Sequence, residues 1–266
     1  MIEQHWGLLR KPFANTPDPA FLVRLPAVEE AFARLFYDVT EVRGGLSLVT
    51  GDIGCGKTML AHALLDRLAG TPWEATALGS PRLTPVQLLQ AVLAAVGGTR
   101  VPRGKHQLVQ ALGGQLAREH ARGRRPVLIV DEGQLATANL LEEVRLLTNF
   151  EDRHDKHIHV VLVGQPELRA RVAAQPQIDQ RVGLRAHMTP LDPEDVETYV
   201  CHRLRVAGAN GTPIFEREAI DTLAARSGGV PRVINNLATQ ALFVAAARGD
   251  RTVGAELVND VADDRG

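Results

Sequence analysis

Leu46-Ser47-Leu48-Val49-Thr50-Gly51-Asp52-Ile53-Gly54-Cys55-Gly56-Lys57-Thr58-Met59-Leu60 is the stretch whose reading decides the fold. A short apolar run, Leu46 to Val49, enters a glycine-rich turn, and Lys57 to Leu68 carries the apolar spacing of a helix. Gly51 to Thr58 match the phosphate-loop pattern G-x-x-x-x-G-K-[ST]. The glycines let backbone N–H groups turn inward around phosphate oxygens. The helix that follows aims the positive end of its dipole at the same anion. In this pattern Lys57 reaches the β- and γ-phosphates, and the Thr58 hydroxyl ligates magnesium. The cradle is therefore read as Gly51, Asp52, Ile53, Gly54, Cys55, Gly56, Lys57, Thr58 and Met59, with ATP and Mg2+ as ligands. A chance glycine turn leaves the strand before it and the helix after it unexplained. Cys55 lies beside the helix start and near Lys57, both of which favour a thiolate, so its thiol is expected to be reactive.

Val127-Leu128-Ile129-Val130-Asp131-Glu132 supplies the partner motif. Many strands end on acidic pairs. This pair gains meaning because it comes one strand-and-helix cycle after a phosphate loop. Asp131 is expected to hold magnesium through water, and Glu132 to orient and polarise the attacking water. Gln165 ends another apolar run, Val160 to Val163. It fits either a contact to the γ-phosphate or water, or a plain helix start before Pro166. Arg181 and Arg185 carry no role by composition. Arg232 falls in the first turn of a helix, where the macrodipole disfavours a cation. An anionic partner and a simple surface arginine both fit there. Arg153 to His159 hold three histidines but no matching carboxylate or cysteine cluster, so they are read as a solvated loop entering a strand.

Outward from these motifs the pattern is regular. Strands are expected at Trp73–Leu78, Pro126–Val130, Ile158–Val163 and Leu184–Met188, and helices at Ala27–Val42, Pro85–Val96, His106–His120 and Ala138–Phe150. The alternation implies a parallel sheet covered by helices, an α/β fold. After Pro190 only helices follow, at Asp192–Val206, Glu216–Arg226, Val233–Ala247 and Val253–Val261. The expected organisation is an extended N-terminal arm over 1–26, a nucleotide-binding α/β domain over 27–190 and a small all-helical lid over 191–266.

Of the 266 residues, 45% are apolar and the formal net charge is −1, so no global positive field holds nucleic acid. Aromatics at 4% argue against a platform for stacking single-stranded bases. DNA binding then needs a local strip, for which Arg122, Arg124, Arg125, Arg169 and Arg171 are the candidates. Two cysteines make no disulfide framework, the N-terminus has no signal-peptide pattern, and no apolar run is long enough to span a membrane. The expectation is a cytoplasmic protein without membrane insertion.

The chain resembles the AAA+ ATPases of the ExeA type, the general secretion pathway protein A family. The likeness runs through Lys11-Pro12-Phe13, Thr16-Pro17-Asp18-Pro19, the phosphate loop, Asp131-Glu132-Gly133-Gln134, Glu142 to Glu151, Gly164-Gln165-Pro166-Glu167-Leu168 and Gly229 to Asn235. The resemblance implies a P-loop AAA+ domain with a helical lid, ATP hydrolysis and an ATP-dependent homo-oligomer. It puts Gln165 at sensor 1, Arg181 at the arginine finger with Arg185 as second choice, and Arg232 at sensor 2. It brings Phe13 or Phe21 near the adenine. Gly133 stands where alanine is common in the family, and Cys55 where threonine is common. Secretion members continue into a membrane span and a peptidoglycan-binding domain, whereas this sequence ends at Gly266. That favours a transposition helper whose ATP form assembles on DNA and presents a target to a transposase. A secretion or pilus assembly ATPase acting through a membrane partner is the other reading.

Overall fold

The computed structural model describes residues 2–79 and 81–264. Met1, Ser80, Arg265 and Gly266, and with them the chain end read above, lie outside the described residues. The chain divides into two compact units, one of Met1–Val28, Asp52–Met59 and Thr189–Gly266, the other of Glu29–Gly51 and Leu60–Met188.

In chain order, α1 (Ile2–Trp6) and α2 (Pro26–Tyr37) precede β1 (Leu46–Gly51) and α3 (Lys57–Leu68). Then come β2 (Trp73–Leu78), α4 (Pro85–Ala95), α5 (Lys105–Ala121), β3 (Arg125–Val130) and α6 (Ala138–Leu147). They are followed by β4 (His159–Gly164), α7 (Pro166–Ala173), α8 (Pro176–Asp179) and β5 (Leu184–Met188). Four helices close the chain: α9 (Pro193–Val206), α10 (Arg217–Ser227), α11 (Pro231–Arg248) and α12 (Ala255–Asp263).

The second unit is built on a five-stranded sheet in the order β2-β3-β4-β1-β5, with every neighbouring pair parallel. This is the α/β fold expected from the alternating pattern. β1 and β4 are buried along their whole length, as strands covered on both faces must be. Leu88, Leu112, Leu128, Leu141 and Leu162 join one apolar core on this sheet. Register brings Gly51 opposite Met188, where a Cβ on Gly51 would stand 2.3 Å from the Met188 carbonyl oxygen. Only glycine lets β1 leave the sheet there.

The helix expected over Ala27–Val42 divides in two. α2 ends at Tyr37, and Asp38–Val42 form a wider turn, closed by the Arg43 N–H donating to the Asp38 carbonyl oxygen at 2.8 Å. The buried Asp38 carboxylate accepts from Ser47 Oγ at 2.5 Å, and Ser47 Oγ lies 2.7 Å from His159 Nε2. This polar trio ties the starts of β1 and β4 inside the fold.

The first unit is helical. Its core joins α9, α10, α11 and α12 through Val200, Leu223, Leu237 and Val258. Residues 1–28 belong to it and include α1, a short helix where an extended arm is expected. Trp6 Nε1 donates to the Leu242 carbonyl oxygen, and Arg203 donates to the Pro12 and Ala14 carbonyls at 2.7 and 2.8 Å. Phe13 and Phe21 are 3% and 5% exposed in this core. Phe13 meets Phe215 edge-on, and the Arg203 guanidinium lies over Phe21. Both rings are core residues of the helical unit.

Candidate functional site

The phosphate loop begins where β1 stops. Gly54 and Gly56 take φ of +86° and +90°, a backbone that L side chains rarely adopt. The Asp52 carbonyl accepts from the Cys55 N–H at 3.3 Å and from Lys57 Nζ at 2.7 Å. Arg232 meets this loop within the same unit. Its N–H donates to the Gly54 carbonyl at 3.3 Å, and a Cβ on Gly54 would stand 2.8 Å from Arg232 Cβ. The tight turn before α11 makes the approach possible. Gly229 has φ +73°, and a Cβ there would stand 2.0 Å from the Leu191 carbonyl oxygen. Thus Gly54 and Arg232, 178 residues apart in sequence, meet within the helical unit.

Cys55 is 3% exposed. Burial and the neighbouring Asp52 push its thiol upward, and Lys57 pulls it down by less. The expected reactive thiolate is therefore corrected: desolvation outweighs the lysine.

In the sheet unit, Asp131 follows the last residue of β3, and its N–H donates to the Leu78 carbonyl at 3.0 Å. Asp131 Oδ1 accepts from the Glu132 N–H at 2.7 Å. Glu132 adopts φ 55°, ψ 33°, a left-handed conformation that is strained for a residue with a side chain. Gln134, which the motif reading passes over, bridges the site. Its Nε2 donates to Glu132 Oε2 at 2.5 Å, and its Oε1 accepts from the Gln165 N–H at 3.0 Å. A Cβ on Gly164 would stand 2.8 Å from that Oε1, so glycine before Gln165 makes room for the bridge. Gly133 has a similar reason: a Cβ there would stand 2.8 Å from Leu168 Cδ2 and 3.1 Å from the Val163 carbonyl. Gln165 begins α7 without a side-chain cap bond. The structure thus brings Glu132 and Gln165 together at the ends of β3 and β4.

Arg181 and Arg185 lie elsewhere. Gly183 donates to the Leu46 carbonyl at 2.9 Å, so Arg181 sits where β1 and β5 begin, at the sheet edge opposite Asp131 and Glu132. Arg185 is tied down, with Nη2 2.6 Å from Asp179 Oδ1. The Arg181 guanidinium makes no hydrogen bond or ion pair among the described residues, and its charge helps hold the Glu151 carboxyl below its ordinary range, after the Lys156 contact. Three of the five arginines expected to form a basic strip between stacked subunits have carboxylate partners within the chain. Arg122 and Arg124 both pair with the buried Glu119, Arg125 faces Asp155, and Arg171 donates to the Ala136 carbonyl.

In the helical unit Thr58 carries a hydroxyl, and in the sheet unit Asp131 carries a carboxylate, each a hard oxygen donor of the class that Mg2+ takes. The open space around Gly56, with nothing within 4 Å of a built Cβ, suits a backbone cradle for phosphate. Among the described residues no helix is long and apolar enough to cross a membrane.

Comparisons with known proteins agree with this architecture. General secretion pathway protein A of Aeromonas hydrophila is 39% identical over 261 residues, an alignment covering 95% of this chain and 46% of that protein. The chain thus spans about half the length of that relative. The resemblance read from the motifs is borne out. ATP-dependent target DNA activator B of Escherichia phage Mu is 24% identical over 255 residues, covering 93% of this chain and 75% of that protein. Among solved structures, the Aeropyrum pernix ORC2 protein (ADPNP-ADP complexes) aligns with a TM-score of 0.74 at 18% identity, over 96% of this chain and 71% of that one. At that identity the likeness carries the fold. A protein-family signature described as AAA domain matches residues 40–172, half of the sequence. The chain belongs to the AAA domain family.

Proposed function

We propose that this protein is a cytoplasmic ATP hydrolase that works as an ATP-dependent oligomeric switch. The observation that carries the reading is the Glu132–Gln134–Gln165 bridge on a sheet whose β1 runs into a complete phosphate loop. A scaffold that only bound nucleotide would have no use for a carboxylate held in a strained backbone at a strand end.

Each residue then has one task. Lys57 and the loop N–H groups hold the β- and γ-phosphates. Thr58 and Asp131 would hold Mg2+, which when bound would neutralise phosphate charge. Glu132 takes a proton from the attacking water as the new bond to the γ-phosphorus forms. The bond from that phosphorus to the β–γ bridging oxygen breaks, and ADP leaves with the electron pair. Gln165 orients the water or the γ-phosphate. Arg232 contacts phosphate from the side of the loop, and Arg181 from a neighbouring subunit stabilises the developing charge.

For the switch's output, the likeness to ATP-dependent target DNA activator B supports an ATP-dependent action on target DNA, with a transposase as the partner that the sequence resemblance implies. The higher identity to general secretion pathway protein A favours a second output, a secretion or pilus membrane partner.

Two substitutions test the core reading. Lys57→Ala should abolish ATP binding. Glu132→Gln should keep ATP binding and lower turnover by at least about 100-fold, the usual worth of a positioned base. Parent-rate hydrolysis by Glu132→Gln would show the base assignment to be wrong. The same arrested protein with ATP separates the outputs: salt-dependent retention on DNA supports the first, and none at low salt removes it.

A further inference from the structure

The loop between α6 and β4 holds a cluster that the nucleotide chemistry does not use. Asp152 Oδ2 lies 3.4 Å from His120 Nε2 and 3.3 Å from His157 Nε2. His120 comes from the last turn of α5, and the other two residues from the loop that enters β4. One ligand atom from each of the three lies within 4.8 Å of the others. The two imidazole rings are 4.5 Å apart, tilted by 32°. We infer that His120, Asp152 and His157 form a site for a zinc-class divalent ion, separate from the Mg2+ of the nucleotide.

Geometry supports an ion at the centre. Two bonds of about 2.0–2.1 Å meeting at a tetrahedral angle span roughly 3.3–3.4 Å between ligand atoms. Both nitrogen-to-oxygen separations have that value, and with the three ligand atoms within 4.8 Å of one another the two imidazoles close on a shared ion by a movement on the order of 1 Å. The carboxylate is also held in place. Asp152 Oδ1 accepts from the backbone N–H groups of His154 and Asp155 at 2.8 and 2.9 Å, which leaves Oδ2 turned to the two histidines. The His157 N–H donates to the Phe150 carbonyl at 2.8 Å, closing the loop on itself.

Chemistry selects the class of ion. Two imidazoles and one carboxylate make a borderline donor set, which favours Zn2+, Co2+, Ni2+ or Cu2+ over Mg2+. Three protein ligands leave a fourth position for water. Asp155 is not that fourth ligand. Its Oδ1 pairs with Arg43 at 2.8 Å, and its Oδ2 faces Arg125 at 3.8 Å as well as His120 at 3.9 Å. Two arginines satisfy it, and it serves as a neighbour that holds the site's charge balance. The carboxylate missing from the histidine segment in the sequence is thus Asp152, immediately before it, and the distant partner is His120.

The reading competes with a plain hydrogen bond of two histidines to one carboxylate. The test uses tag-free full-length protein stripped with a chelator and kept free of nucleotide, titrated with ZnCl2 against a chromophoric competitor. We expect one Zn2+ per chain, and affinity at least roughly tenfold weaker in His157→Asn and in Asp152→Asn. Because a variant can misfold, a second measurement uses the parent chain with 15N-labelled histidine. One equivalent of Zn2+ should shift the ring nitrogens of His120 and His157 and leave those of exposed His154 in place. Absence of stoichiometric Zn2+, parent-like affinity in both variants, or shifts confined to other histidines would each overturn the site. None of these readouts depends on ATP hydrolysis.

Discussion

Glu132 and Cys55 show how little of a residue's chemistry lies in its identity. Glu132 is held by its own backbone strain, by the Asp131 carboxylate and by Gln134 Nε2. Gln134→Ala removes the brace and leaves the Gln165 N–H without that partner. We expect kcat to fall about tenfold, the worth of one good hydrogen bond, with ATP affinity within about twofold of the parent. A changed affinity with unchanged kcat would mean that Gln134 supports binding and not the base. Cys55 is a small buried filler whose thiol is pushed up by burial. Burial pushes the Cys201 thiol up as well, so exposure decides the order, and limiting maleimide should label Cys201, the exposed cysteine, before Cys55. Peptide mass spectrometry reads the order, and Cys55 labelled first would restore the reactive-thiolate reading. The places of Lys57, Thr58, Asp131 and Glu132, at a helix start and just past a strand end, were legible in sequence because they depend on local spacing. Gln134 was not, because its meaning comes from a contact with Gln165, 31 residues away.

At the scale of elements, burial made the sheet readable. β2 and β5 fall where their apolar runs predict, and β1, β3 and β4 differ by a residue or two at their ends. α8 escaped notice because four residues carry no period, and the end of α2 because Asp38 turns inward to serve Ser47. That trio has a consequence for pH. Burial pushes His159 down to about 3, below its unfolded value of about 6.5. Protons therefore favour the unfolded chain. The stabilisation is complete above about pH 6.5 and is lost as pH falls from there toward 3. Burial raises Asp38, which acts in the opposite sense, but nearer its own range around pH 4. Between pH 7.5 and 5.5 we expect a loss of about 1.4 kcal/mol, roughly 2–4 °C in Tm. His159→Gln should reduce this slope without abolishing it, since burial also lowers His120 and His202. An unchanged slope in a folded His159→Gln protein would assign the pH dependence to other groups.

At the scale of the molecule, the residues proposed for ATP hydrolysis come from both units. Lys57, Thr58 and Arg232 belong to the helical one, and Asp131, Glu132, Gln165 and Arg181 to the sheet unit. The grouping of residues 1–28 with the C-terminal helices was hidden in sequence because it rests on contacts such as Arg203 to Pro12, 191 residues apart. Within the sheet unit, Arg181 stands at the edge where the strands begin, and Glu132 at the edge where they end. The five residues of β5 alone separate those edges by roughly 16 Å. A finger placed there is badly sited for its own subunit's base and suits a neighbour's. The mixing experiment tests this most directly. Arg181→Ala alone and Glu132→Gln alone should each be inactive, one lacking the finger and the other the base. Mixed in equal amounts under assembling conditions, some interfaces would join an intact Glu132 to an intact Arg181, and the account predicts that ATP hydrolysis returns. Mixed oligomers that form and stay as inactive as their components would contradict a site completed by the neighbouring subunit.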